Sequence, residues 1–255
     1  MSIAKRCWTA YEKNQLLKHA ISLDNLDQYG DMPVEYITGF VEFCGHQFEV
    51  NPDTLIPRTE SEGLVNLAIN WIKDETSNSH DLHILDVGTG CGNIAISVFL
   101  GLKKLGISTK ITASDISKKC LDQAKNNQER LIQKDDWPNF SFYQSDLLSR
   151  LPQQTYKIIL ANLPYVPSSM LEILDPTVKY FEPNLALDGG TDGLELVRQL
   201  ISSSSQYLDD GGKIMLEIDS RSRVNENTLG LNQEWAYQII MDEFERQRYV
   251  ILTKL

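Results

Sequence analysis

The sequence has few cysteines, no long apolar run and a shortage of positive charge. Its four cysteines (Cys7, Cys44, Cys91 and Cys120) are widely spaced, and its four histidines form no ligand pattern. A zinc site or disulfide framework is therefore not expected. No run approaches the roughly 18 apolar residues of a membrane helix, and residues 1–6 lack the apolar stretch of a signal peptide. We expect a cytoplasmic protein with no membrane segment and no bound metal.

The charge balance excludes one large class of partner. Lysine and arginine total 24 against 35 aspartate and glutamate, so the net charge is −11. Proteins dedicated to binding DNA or RNA neutralise phosphates with many basic side chains, which argues against that function here. A basic protein partner would be favoured electrostatically. The 255 residues fit one main domain with a small appendage, and we expect a monomer.

From residue 82 onward, short apolar runs alternate with helical patterns. This alternation predicts an α/β fold, in which seven strands form a mostly parallel sheet covered by helices on both faces. The predicted strands are 82–87, 110–115, 140–144, 156–161, 212–218, 237–241 and 249–253, and the predicted helices are 93–105, 117–133, 193–208 and 221–234. A turn is predicted at 209–212.

The first 57 residues have a different character. Residues 1–32 predict a short helical arm, and the alternating aromatic and β-branched residues of 33–57 predict a β-hairpin with its turn at Gly45-His46. Residues 58–255 then form the main domain. Its first helix is predicted to run to Asp74 with Thr59 or Ser61 as the cap, and Glu62, three residues after Thr59, suits a capping box. A polar loop is predicted at 76–81.

A glycine-rich loop follows the first strand of the main domain and opens a helix. Its glycines would let the backbone turn sharply and approach a ligand. The spacing is GxGxG, so the dinucleotide fingerprint GxGxxG is incomplete. A carboxylate at the strand end suits a cationic or amino-bearing ligand better than a diphosphate. The loop residues predicted to bind a cofactor are Asp86, Gly88, Thr89, Gly90, Cys91 and Gly92.

Two further carboxylates lie where later strands end. Asp115, about twenty residues beyond the loop, is placed to accept from two ribose hydroxyls. Asp146 could accept from an adenine amino group, with Leu147 packed on the ring, or it could instead cap a helix. The alternative for the whole set is a glycine loop that only turns the chain.

The tetrapeptide Asn162-Leu163-Pro164-Tyr165 follows another apolar strand. The Asn162 side-chain oxygen and the Leu163 carbonyl can accept hydrogen bonds from the two N–H groups of a planar amide, which orients its nitrogen for attack. Pro164 restrains Leu163, and Tyr165 can stack on a planar group. With the glycine loop, this pattern indicates methyl transfer from S-adenosylmethionine, with Asn162 near the donor as well. The alternative is an ordinary proline-containing turn.

From Pro33 onward the chain resembles the HemK/PrmC family, the protein-(glutamine-N5) methyltransferases that modify peptide chain release factors. Six blocks carry the resemblance: Pro33–Gly39, Leu55–Glu60, Ile84–Gly90, Asn162–Tyr165, Glu182–Leu187 and Gly189–Leu194. The resemblance implies a Rossmann-like class I methyltransferase fold, S-adenosylmethionine as donor, and the glutamine of a release-factor GGQ loop as acceptor. It also implies that the residues above hold the donor and the glutamine. Arg58 and Glu182 match recurring family positions, either at the acceptor pocket or as a structural ion pair.

The chain departs from the family pattern in two places. Leu163 replaces the first proline of the usual Asn-Pro-Pro-Tyr, and the N-terminal arm is shorter than the helical domain that helps to dock the release factor. The open alternatives are a glutamine in another translation protein, such as a ribosomal protein, and adenine in nucleic acid. A catalytically silent scaffold and a nicotinamide oxidoreductase are weaker ones.

Overall fold

The computed structural model describes residues 6–75 and 82–255. The polar loop predicted at 76–81 and the first five residues of the arm lie outside the described residues. The arm forms helix α1 (Ala10–Lys18) and a 3₁₀ turn (Leu26–Tyr29). Thr9 and Glu12 close a capping box at the start of α1. Trp8, Leu16 and Val34 form a small buried cluster between the arm and the next segment.

The hairpin prediction is wrong for its first five residues. Val34–Thr38 forms a short helix, α2, with Pro33 before it and Gly39 after it in the left-handed conformation, φ 78°. Proline just before a helical turn and glycine just after it are typical helix-boundary residues. Tyr36 and its β-branched neighbours favour a strand by composition, but five residues are too few for their spacing to separate a strand from a helical turn.

The hairpin itself is confirmed for strands β1 (Phe40–Phe43) and β2 (His46–Glu49), which pair antiparallel. The turn lies at Cys44-Gly45, one residue earlier than predicted, and both residues have positive φ, as a tight hairpin turn requires. Phe43 and Phe48 are completely buried in the main core. The hairpin therefore packs on the core.

Helix α3 (Ser61–Glu75) follows, but the predicted capping box is wrong. The Glu62 carboxylate accepts a 2.8 Å hydrogen bond from the Cys44 amide, so it ties the helix to the hairpin turn. Ser61, at the start of the helix, is 1% exposed. Its hydroxyl faces the end of a distant strand.

The predicted seven-stranded, mostly parallel sheet is confirmed. Its order is β5-β4-β3-β6-β7-β9-β8, and only β9 runs antiparallel to its neighbours. The strands are β3 (Leu82–Val87), β4 (Thr109–Asp115), β5 (Phe140–Gln144), β6 (Tyr156–Ala161), β7 (Leu208–Glu217), β8 (Trp235–Met241) and β9 (Gln247–Lys254). The helices after α3 are α4 (Asn93–Lys104), α5 (Lys118–Leu131), α6 (Pro176–Lys179), α7 (Glu195–Ser204) and α8 (Glu226–Leu229).

Two sequence predictions in this region need correction. The helix predicted at 221–234 is the single turn α8, which Asn225 caps and Gly230 ends with φ 67°. The turn predicted at 209–212 lies inside β7 as an irregularity: Tyr156 pairs with Leu208, but Ile158 already pairs with Lys213. Both cases follow from glycines with positive φ, at 230 and 211.

The sheet separates two apolar layers, and alternate residues of β3 enter each. Ile84 belongs to the layer formed with α3, α4 and the hairpin, whereas Leu85 belongs to the layer formed with α7. Asn127 of α5 links the hairpin to the glycine loop, since its Nδ2 donates to the carbonyls of Glu49 and Cys91, both at 2.9 Å. The hairpin thus supports the loop that follows β3.

Two features are absent from the described residues. Over 6–75 and 82–255, no helix is long and apolar enough to cross a bilayer. In the same residues, no three histidine, cysteine, aspartate or glutamate side chains are grouped as metal ligands.

Candidate active site

A cleft of about 320 Å³ lies at the carboxyl ends of β3, β4 and β6. Strand order reverses at β3, which has β4 on one side and β6 on the other, and ligands of open α/β sheets bind at such reversals. Most of the predicted site residues line this cleft: Gly88, Thr89, Gly90, Cys91, Asp115, Asp146, Leu147, Asn162, Leu163 and Pro164. The other three, Asp86, Gly92 and Tyr165, do not line it.

The glycine loop owes its shape to backbone conformations that favour glycine. Gly88, Gly90 and Gly92 have φ of 73°, 55° and 84°. A Cβ at Gly92 would lie 3.1 Å from the Cβ of Ala124 in α5, whereas a Cβ at Gly90 would meet nothing within 4 Å. A side chain at Gly92 would therefore crowd α5, whereas Gly90 leaves open space above the loop.

Asp86, at the end of β3, holds a buried carboxylate with one unused oxygen. It is 1% exposed, and its Oδ2 accepts from Thr89 Oγ1 at 2.6 Å. Among the described residues, Oδ1 makes no hydrogen bond of normal geometry. Burial raises the Asp86 pKa to about 7, although Thr89 and the Ala95 amide act to lower it. An unsatisfied buried oxygen fits the donor group of a ligand, preferably a cationic one.

Asp115 performs two tasks at the end of β4. Its Oδ2 accepts from the Gly90 amide at 2.9 Å and its Oδ1 from the Ser117 amide at 2.8 Å, so it fastens the glycine loop to the start of α5. A carboxylate can accept about four hydrogen bonds, which leaves acceptor capacity for two ligand hydroxyls. Burial raises the Asp115 pKa, and these two amide bonds oppose the increase.

Asp146 and Leu147 follow β5 on the same side of the cleft. Asp146 is exposed, and the residues after it form turns rather than a helix, so the helix-cap alternative is wrong. Leu147 is half-buried, with an unusual positive φ of 46°. Their assignment to an adenine ring remains a prediction.

The Asn162 side chain is held by two residues that the sequence analysis did not assign to the site. Its Nδ2 donates to Ser61 Oγ at 2.9 Å and to Glu217 Oε2 at 3.1 Å. The Ser61 hydroxyl itself donates to Glu217 Oε2 at 2.6 Å. Glu217 is 2% exposed, and burial raises its pKa to about 7 against the opposing effects of Ser61 and Arg248. A carboxylate ending an apolar strand, as in Asp86 and Asp115, is the sequence signal that could have found it.

Leu163 and Tyr165 take up different positions beside Asn162. Leu163 is 5% exposed and packs over the glycine loop, where a Cβ at Gly88 would lie 3.1 Å from its Cδ2. Leucine in place of proline therefore adds an apolar contact between the two motifs. Tyr165 is half-buried, and burial together with the nearby Glu217 charge raises the pKa of its hydroxyl. Its stacking role remains a prediction.

The backbone after the Asn-Leu-Pro-Tyr turn is clamped by the glycines of the GGxDG block. The Val166 amide donates to the Leu187 carbonyl at 2.9 Å, and the Gly189 amide donates back to the Val166 carbonyl at 2.8 Å. A Cβ at Gly189 would lie 2.6 Å from the Pro164 carbonyl oxygen, and one at Gly193 would overlap the Tyr165 carbonyl oxygen. Only glycine permits this approach.

Arg58 and Glu182 pair with each other across the cleft wall. Arg58 Nη2 forms a salt bridge with Glu182 Oε1, and the Ile56 amide donates to Glu182 Oε2 at 3.3 Å. Glu182 is 5% exposed, whereas Arg58 lines the cleft. The pair therefore joins the segment before α3 to the segment before the GGxDG block. Its part in acceptor binding remains a prediction.

The chain is similar to known proteins both in sequence and in fold. The profile of a family described as "Methyltransferase domain" matches residues 78–243. A release factor glutamine methyltransferase from Rhodopirellula baltica is 40% identical over 187 residues, which cover 73% of this chain and 61% of that protein. One from Deinococcus radiodurans is 32% identical over 222 residues, which cover 86% of this chain and 73% of that protein. The chain belongs to the release factor glutamine methyltransferase family.

The chain matches only part of the length of its relatives. The chain spans 60–63% of the length of several relatives, including those from Rhodopirellula, Geobacter, Gloeobacter and Enterococcus. Family membership therefore covers the matched region, and the cofactor of this family is S-adenosylmethionine.

Solved structures agree on the fold. A human methyltransferase 10 domain containing protein has a TM-score of 0.53 at 17% identity, covering 82% of this chain and 88% of that chain. A ribosomal protein L11 methylase from Lactobacillus delbrueckii subsp. bulgaricus has a TM-score of 0.52 at 18% identity, covering 77% and 80%. These likenesses confirm the class I methyltransferase fold.

Proposed function

We propose that this protein transfers a methyl group from S-adenosylmethionine to the side-chain amide nitrogen, N5, of the glutamine in a release-factor GGQ loop. One observation carries the proposal. The Asn162 amide directs its nitrogen to Ser61 and Glu217, so its oxygen is available at a cleft that the glycine loop also lines. The names of the relatives supply the substrate class.

The donor half of the cleft fits the cofactor. When bound, S-adenosylmethionine supplies a methyl group on a positively charged sulphur, which would leave as the neutral thioether while the amide nitrogen gives up one proton. The unused Oδ1 of buried Asp86 suits an ammonium group, and Asp115 retains acceptor capacity for ribose hydroxyls. Asp146 and Leu147 would meet the adenine ring. The glycine loop brings backbone close to the ligand without side-chain interference.

The acceptor half suits a neutral amide, which is a poor nucleophile because its nitrogen lone pair is delocalised into the carbonyl. Asn162 Oδ1 and the Leu163 carbonyl oxygen can each accept one N–H of the substrate amide. Two aligned acceptors hold the nitrogen in place and favour the geometry in which its lone pair points at the methyl group. Two carbonyl oxygens that accept hydrogen bonds are sufficient to orient the substrate amide in this way.

Two alternatives belong to the same chemistry. A glutamine in another translation protein would use the same two acceptors, and an adenine amino group would also offer two N–H groups. The net charge of −11 disfavours the nucleic-acid substrate. A monomeric state, a cytoplasmic location and the absence of dedicated nucleic-acid binding remain predictions.

The test is mass spectrometry of a release factor incubated with the protein and S-adenosylmethionine, with fragmentation across the GGQ loop. We expect one added methyl group on that glutamine. The methyl group should be absent with Asn162→Ala and present with Asn126→Ala, which changes an exposed asparagine of α5. Measurable donor binding without methylation of the release factor would contradict the proposed substrate.

A further inference from the structure

The sheet register brings Asn162 and Glu217 together. In the parallel β6–β7 pair, Ala161 lies opposite Leu216. The residues that follow them, Asn162 and Glu217, are therefore neighbours. The Ser61 hydroxyl, from the start of α3, completes the group by bonding both of them. All three side chains are therefore positioned by the sheet and a packed helix rather than by a loose loop.

Counting hydrogens sets the orientation of the Asn162 amide. The oxygen and nitrogen of an asparagine are assigned from their partners. Ser61 has one hydroxyl hydrogen, which goes to Glu217, so it can only accept from Asn162. An ionised Glu217 can only accept as well. Both neighbours therefore require the Asn162 nitrogen, and the oxygen must face the other way, toward the cleft.

We propose that Glu217, assisted by Ser61, is a positioning residue that fixes the Asn162 amide with its oxygen toward the acceptor. Its effect on turnover rests on the function proposed above, whereas the orientation itself does not. Glu217 is outside the cleft lining and would act through Asn162. Its removal would let the amide rotate and present N–H groups, which repel the N–H groups of a substrate amide.

The fixed orientation of the Asn162 amide depends on the negative charge of Glu217. Protonation gives Glu217 a hydrogen to donate, so Asn162 can turn its oxygen inward. The groups that influence Glu217 are Ser61 and Glu60 from the α3 segment, Tyr165 from the turn, and Arg248 from β9. Glu217 in turn influences Tyr249, also of β9. Burial raises the Glu217 pKa to about 7. The preference of the Asn162 amide for this orientation should therefore weaken as the pH falls through neutrality.

Nuclear magnetic resonance of the side-chain amide tests the orientation without any substrate. The Asn162 NH₂ signals are identified by their loss in Asn162→Asp and followed against pH in the full-length protein. We expect them to shift with one transition in the wild type and in Glu129→Gln, which changes an exposed glutamate of α5. The transition should disappear in Glu217→Gln. An unchanged transition in that variant would overturn the proposal.

Kinetics test the consequence. Glu217→Gln should lower kcat for release-factor methylation about tenfold, as for a lost hydrogen bond to a charged group, with donor affinity within a few-fold. The decline of kcat below neutral pH should also be reduced, although Asp86 still titrates. Ser61→Ala, a smaller change, should lower kcat by a factor of about five and serves if Glu217→Gln does not fold.

The two proposals fail in different ways. If wild-type protein leaves the release factor unmethylated, the proposed substrate is wrong, and the amide signals still decide the role of Glu217. If wild-type protein is active and both variants keep normal kcat with an unaltered pH profile, Glu217 and Ser61 have only a structural role.

Discussion

The two halves of the cleft are built in different ways. The donor half consists of a loop and strand ends whose functional residues lie within single short segments: Asp86 to Gly92, then Asp115, then Asp146. In the acceptor half, Asn162 depends on Ser61, which is 101 positions away, and on Glu217, which is 55 positions away. A short motif can specify a ligand-binding loop, but the orientation of one amide is set by the tertiary fold.

Two buried carboxylates illustrate the contrast. Burial raises the pKa of both Asp86 and Glu217 to about 7. Asp86 has one oxygen without a hydrogen bond of normal geometry among the described residues, as expected of a group that meets a ligand. Glu217 accepts hydrogen bonds from Ser61 and Asn162. In the described part of the chain, the first carboxylate keeps one free acceptor, which we propose for a ligand, and the second contacts side chains from two other segments.

The largest expected effect separates the halves directly. Asn162→Ala should lower kcat by on the order of 100-fold or more, about 3 kcal/mol, because one aligned acceptor is lost. Donor affinity should stay within a few-fold. Radiolabelled methyl transfer and calorimetry measure the two quantities. Normal turnover would remove Asn162 from the mechanism.

Gly193→Ala should distort the acceptor half by displacing the backbone of the Asn-Leu-Pro-Tyr turn. Its Cβ would overlap the Tyr165 carbonyl oxygen, and its φ of 77° disfavours alanine. We expect a loss of about 2–3 kcal/mol of stability and reduced kcat with nearly normal donor affinity. Gly106→Ala is the control, because Gly106 has a similar φ of 74° but nothing within 4 Å of its Cβ. Equal effects of both changes on kcat would contradict the claim that the close approach of Gly193 to Tyr165 positions the turn.

Asp115→Ala should break the donor half. We expect donor binding to weaken by about 1–3 kcal/mol, since a charged acceptor is lost and the Gly90 amide loses its partner. Calorimetry measures it, with Asp122→Ala, an exposed aspartate of α5, as the control. Unchanged affinity would contradict the ribose assignment.

Asp86 should produce the smallest effect, visible as a pH dependence of stability. Its pKa is raised in the folded protein, so its stabilising contribution is complete below the ordinary aspartate range and is lost as the pH rises toward about 7. Between about pH 6 and pH 7.5 that loss is about 1 kcal/mol. Asp86→Asn should remove this loss from the change in unfolding free energy between about pH 6 and pH 7.5, measured by chemical denaturation. An unaltered change over that interval would contradict the assigned pKa.

The sequence predicted the parts of the molecule that local patterns specify. All seven strands of the sheet occur within a few residues of their predicted ends, because buried strands read as apolar runs bounded by turns. Where two patterns compete, prediction failed. Residues 34–38 alternate like a strand but are bounded as a helix by Pro33 and Gly39. The helix predicted at 221–234 was overextended past Gly230.

The candidate site divides in the same way. The glycine loop, Asp115 and the Asn162 turn could be predicted to share one cleft because each lies at or just after the end of a strand, where parallel sheets collect ligands. Ser61 was seen only as a helix start, and Glu217 only as part of a strand. Their contact with Asn162 depends on the β6–β7 register and on how α3 packs, neither of which a local pattern contains.

The most direct test of the central claim is a crystal structure of the protein with S-adenosylhomocysteine and a release factor. The account predicts that the GGQ glutamine nitrogen lies within hydrogen-bond distance of both Asn162 Oδ1 and the Leu163 carbonyl oxygen, with Asn162 Nδ2 on Ser61 and Glu217. A glutamine bound away from the turn, or an Asn162 nitrogen facing the substrate, would contradict it.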